Sequence, residues 1–147
     1  MNDETTWNEC LESNVSIKVS PDKAKAKSLI DTALGRVQYC RESAVKESNA
    51  NYLFENYYSS VLELLHALVL FYGYSVGNHI CLGYYIKEIL KREELFRLFD
   101  DCRYKRNSLV YFGRKMDFII AQDSIKKCEK LIQELRNILE KEMKQKL

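Results

Sequence analysis

Proline occurs once and glycine five times in the 147 residues. That is too little material for the many tight turns of an all-β fold. Histidine occurs twice, as His66 and His79, and neither stands at zinc-ligand spacing from a cysteine. The cysteines, Cys10, Cys40, Cys81, Cys102 and Cys128, are odd in number and include no C-x-x-C pair. They are expected as five reduced thiols in a cytoplasmic protein, several acting as small core hydrophobes, with no metal and no cofactor. No apolar run is long enough to cross a membrane: Val61 to Val76 comes nearest and carries Glu63 and His66. The acidic, polar start of the chain reads as neither a secretory signal nor a transit peptide.

Net charge is also small, at +2. It is unevenly placed, since residues 1–19 carry a net of three negative charges and leave +5 on the remainder. This modest excess suits a phosphate-bearing partner.

What is abundant is apolar and charged material together, 46% and 30% of residues, as in a folded domain of ordinary size. Residues 1–19 read as an acidic arm in which Val15, Ile17 and Val19 alternate with polar residues, as in a short extended segment. Ser20, Pro21 and Asp22 then start a helix expected to run to about residue 46, with Ile30, Ala33, Val37 and Cys40 on one stripe. A second helix from Tyr52 to about Tyr72 is apolar around most of its circumference and should be the most buried. Gly73 and Gly77 close it, and a shorter helix follows from about Asn78 to Leu90. A third long helix spans about Glu94 to Phe112, with Leu109 and Val110 expected inward, and a last one runs from about Phe118. The expected fold is all-α: an up-and-down bundle of four long helices over 20–147, with a short helix between the second and third.

Arg103, Lys105, Arg106, Arg114 and Lys115 crowd the end of the third long helix. A guanidinium suits a forked grip on phosphate, and Asn107 adds a neutral donor and acceptor. Tyr111 lies five residues beyond Arg106, able to face the same cleft. Arg103, Lys105, Arg106, Arg114 and Lys115 are therefore candidates for phosphate contact. Glu63, a carboxylate on an apolar helix, needs a partner, and an arginine of the basic segment is the expected one. His79, at a helix start, is a further candidate for a supporting role.

Arg106-Asn107-Ser108-Leu109-Val110-Tyr111 resembles the Arg-x4-His motif of HEPN domains. The run Tyr58–Leu68 followed by Gly73, and Asn78-His79 before a short apolar helix, are similar to the preceding parts of that family. The resemblance covers about residues 22–140. It implies a helical homodimer with two motifs facing one cleft. The implied activity is either metal-independent RNA cleavage, as in the toxin of a toxin–antitoxin pair, or RNA or nucleotide binding beside a small nucleotidyltransferase. It makes Arg106, Asn107 and Tyr111 the catalytic positions, with the arginine on the scissile phosphate. Tyr111 stands where the family has histidine. A phenol near pKa 10 is a poor base beside an imidazole near 6.5, so the expectation is binding with weak or no catalysis. Gly113 replaces the family's tyrosine two residues further on.

Overall fold

The computed structural model describes residues 6–147, and they are mostly helical. Among them are six α-helices: α1 (Trp7–Glu12), α2 (Lys23–Arg41), α3 (Ala50–Phe71), α4 (His79–Tyr84), α5 (Glu93–Tyr111) and α6 (Phe118–Met143). A π-helical turn, Tyr85–Ile89, continues α4. Two short strands, β1 (Ser16–Lys18) and β2 (Tyr74–Val76), pair antiparallel with Ile17 opposite Ser75.

The long helices fall where three-four periodicity predicts them. Helix α2 starts later than expected because Asp22 is its cap: Asp22 Oδ1 accepts from Lys25 N at 2.9 Å. It also stops at Arg41, short of residue 46, because Asn49 folds the connecting turn onto itself. Asn49 Oδ1 accepts from Lys46 N (2.8 Å), while its Nδ2 donates to Ala44 O (2.9 Å). Helix α3 is the centre of the core, with Phe54, Tyr58, Val61, Leu64, Leu65 and Leu68 buried. It packs against α2, α5 and α6, and Tyr58 stacks on Phe99 of α5 at 6.0 Å. Phe54, Tyr57 and Tyr58 join the core, while Tyr72 is exposed.

The first five residues of the acidic arm lie outside the described residues. From residue 6 the arm lies on the helices. Thr6 Oγ1 caps α1 by accepting from Glu9 N (3.2 Å), and Trp7 and Cys10 turn inward. Trp7 meets Tyr74 and Tyr85 edge-on at 5.3 and 5.1 Å, and its backbone N–H donates to Glu88 Oε2 (2.7 Å). The alternating Val15–Val19 segment contains β1, as its pattern suggests. Its course over Gly73 needs a glycine there: φ is +87°, and a Cβ would stand 2.9 Å from Val19 O.

Two expectations are corrected here. Cys10 and Cys81 form a disulfide that ties α1 to α4, so three thiols are free, not five. The odd cysteine count concealed the pair because its members are 71 residues apart, and the thiol argument for a reducing compartment lapses with it. Val110 is exposed at 41% rather than inward, since α5 runs past the edge of the core there. No helix among the described residues is long and apolar enough to cross a membrane.

Candidate functional site

Helix α5 ends by turning back on its own carbonyls. Phe112 N and Arg114 N both donate to Ser108 O, at 3.2 and 3.3 Å, with Gly113 at φ +62°. Left-handed backbone at this position favours glycine over any side chain, which accounts for the lack of an aromatic residue two places beyond Tyr111. Asn51, on the first turn of α3, clamps the following loop: its Oδ1 accepts from Met116 N (2.9 Å) and its Nδ2 donates to Met116 O (3.4 Å). The loop after α5 is thereby tied to the start of α3, while the last turns of α5 face the start of α4.

Between them lies a cleft of ≈ 280 Å³. Arg103, Asn107 and Tyr111, successive rungs four residues apart on α5, form one wall. Asn78 and His79 form part of the other. Asn78 is held as the cap of α4, its Oδ1 accepting from Cys81 N at 2.8 Å. Arg106 lies beside this wall between two aromatic rings, its Cζ 5.9 Å from the Tyr58 centroid and 5.7 Å from that of Tyr111. Such cation–π seating orients a guanidinium without neutralising it. The nearby carboxylates are engaged by other cations. Asp100 receives Arg103 (2.8 Å), and Asp101 receives Lys105 and Lys127 (2.7 and 2.9 Å). Arg106 has no ion-pair partner among the described residues.

Behind the cleft, the Tyr58 hydroxyl and His79 Nδ1 are 3.0 Å apart. Burial pushes the Tyr58 phenol up, partly offset by the charges of Arg106 and Arg103. Burial also pushes His79 below its ordinary 6.5, and Arg106, His66 and Arg103 push it further the same way. The cleft therefore combines positive potential with an imidazole kept neutral near neutral pH.

The structure thus gathers Arg103, Asn107, Tyr111 and His79 around one space with Arg106 at its side. Arg114 and Lys115 are exposed on the loop after α5. Lys105 points to α6 instead and is held in an ion-pair network with Asp101 and Lys127. Glu63 is also elsewhere: it pairs with Arg36 of α2 at 2.6 Å, not with an arginine of the motif. Its other carboxylate oxygen is buried without a partner. The Tyr58–His79 contact went unforeseen because no short-range spacing links residues 21 apart on two helices.

A larger cavity of ≈ 620 Å³ lies away from this site, lined by Tyr72, Tyr74, Tyr85, Arg92, Lys141 and Glu142 among others. Arg92 is spent there on Glu94 and Glu134, and Lys141 sits next to Glu142. No group of three His, Cys, Asp or Glu side chains among the described residues is placed to hold a metal. No protein-family model, curated protein or solved structure matches the chain.

Proposed function

We propose that the chain is a HEPN-like domain, its four long helices in up-and-down order, that binds RNA or a nucleotide as a homodimer. The observation that carries this reading is Arg106: a guanidinium without an acidic partner, seated between two tyrosines beside a cleft that also holds Arg103 and Asn107. Arg106 grips a phosphate, Asn107 supplies neutral hydrogen bonds, and Tyr111, 70% exposed, offers a face for a base to stack on. In this reading Tyr111 is a stacking surface rather than a base.

The homodimer draws on the same end of the molecule. Tyr111, Phe112, Ile119 and Ile120 leave apolar side chains exposed within ten residues, Phe112 at 71% and Ile119 at 78%. A monomer gains by covering such a patch, and a second copy doing so brings two Arg106 cleft regions close together. A small nucleotidyltransferase is the competing occupant of this patch. Light scattering of the pure chain separates the two, a dimer mass favouring the second copy.

The test of binding is fluorescence anisotropy of a labelled single-stranded RNA at several salt concentrations. Affinity should fall with salt, and Arg106→Ala should weaken binding about tenfold while flattening the log–log salt slope by about one.

A further inference from the structure

The larger cavity, of ≈ 620 Å³, shares no lining residue with the phosphate cleft. A space of this size accommodates a small organic molecule. Tyr72, Tyr74 and Tyr85 line it with phenolic rings, Leu90 and Ile138 make its wall apolar, and Glu142 stands at it beside Lys141. One edge is the π-helical turn Tyr85–Ile89, closed by Leu90 N donating to Tyr85 O at 3.0 Å. Such widened turns are rare and concentrate at functional sites.

Two polar groups define what fits. Tyr85 is only 2% exposed, and its hydroxyl has no hydrogen-bond partner among the described residues. It is not sealed in the core either: the sealed, unpartnered side-chain oxygens there are those of Ser16 and Glu63. The hydroxyl therefore opens onto the cavity as an unanswered donor and acceptor. The second group is Glu142. Burial and then the Glu142 carboxylate push the Tyr72 phenol up, and burial, Tyr74 and Glu142 push Tyr85 up to about 12. The negative charge thus lies close to the ring cluster. Arg92 is already held by Glu94 and Glu134, at 2.6 and 3.0 Å, and Lys141 is exposed. Carboxylates therefore outnumber cations around the cavity, and the faces of tyrosine rings attract a cation further.

We propose that this cavity binds a small aromatic amine, its ring against Tyr74, Leu90 and Ile138, its ammonium group on Glu142, and a ring hydroxyl bonded to the Tyr85 hydroxyl. The site stands independently of the RNA-binding reading of the cleft.

Tyramine is the probe, with p-cresol as its uncharged counterpart and 4-hydroxyphenylacetate as its anionic one, each titrated calorimetrically into the full chain. Trp7, the single tryptophan, packs edge-on against Tyr74 and Tyr85, so its fluorescence gives a second readout. Tyramine should bind at one site, about tenfold or more tighter than either counterpart. Glu142→Gln should remove that preference. Tyr85→Phe should weaken tyramine about threefold to tenfold while urea unfolding stays at wild-type stability, because the hydroxyl lost has no protein partner. Phenethylamine, which lacks the ring hydroxyl, should bind wild type and Tyr85→Phe alike. No saturable binding of tyramine up to millimolar concentration would overturn the proposal. So would equal affinity for either counterpart, or tyramine affinity unchanged in either variant.

Discussion

His66 and His79 both sit where burial disfavours their charged forms, and His79 is further depressed by two arginines and His66. Each has a folded pKa below its unfolded value of 6.5. The stability they contribute is therefore complete above pH 6.5 and is lost as pH falls from there through the depressed folded values. Urea unfolding between about pH 7.5 and 5 should show this loss, and His66→Leu should make it shallower. An unchanged slope in that variant would mean His66 is better solvated than its half-buried position on α3 indicates. At this scale the basic segment was legible, because arginine and asparagine at helical spacing are a local pattern. Partner choice was not. Glu63 met Arg36 and Lys105 met Asp101, and each choice depends on which helices become neighbours.

Among elements, the disulfide makes the sharpest prediction. Cross-linking residues 71 apart restricts the unfolded chain. Cys10→Ser should therefore lower unfolding stability by about 2–4 kcal/mol, measured by urea denaturation. Thiol titration of the denatured, unreduced chain should count three thiols, Cys40, Cys102 and Cys128. Five would return the protein to the reduced state expected from composition. Helices α2, α3, α5 and α6 were legible because each carries several turns of apolar periodicity. Helix α1 has six residues and too few turns for a period, though Thr6-x-x-Glu9 with Trp7 and Cys10 is a cap-and-stripe signature that marks it. The pairing of β1 with β2 depends on a return of the chain from residue 18 to residue 74, which no local pattern records.

For the molecule as a whole, the proposed assembly turns on the apolar end formed by α5 and α6. Phe112 and Ile119 stay mostly exposed in the single chain, at the same end as the cleft. Light scattering at micromolar concentration should give twice the monomer mass, and Phe112→Lys with Ile119→Lys should halve it without lowering helix content. The all-α class follows from what the composition lacks, and it holds in the structure. Of the candidate site, the sequence made legible only a cation-rich helix end. That His79 stands behind it, across from Asn107, is a product of tertiary packing.

The central claim is that Arg106 makes this cleft a phosphate site, and salt-dependent RNA binding by wild type and Arg106→Ala tests it most directly. Wild-type affinity should fall with salt, and the variant should show about a tenfold loss and a slope shallower by about one. Equal affinity and equal slope in the two proteins would contradict it.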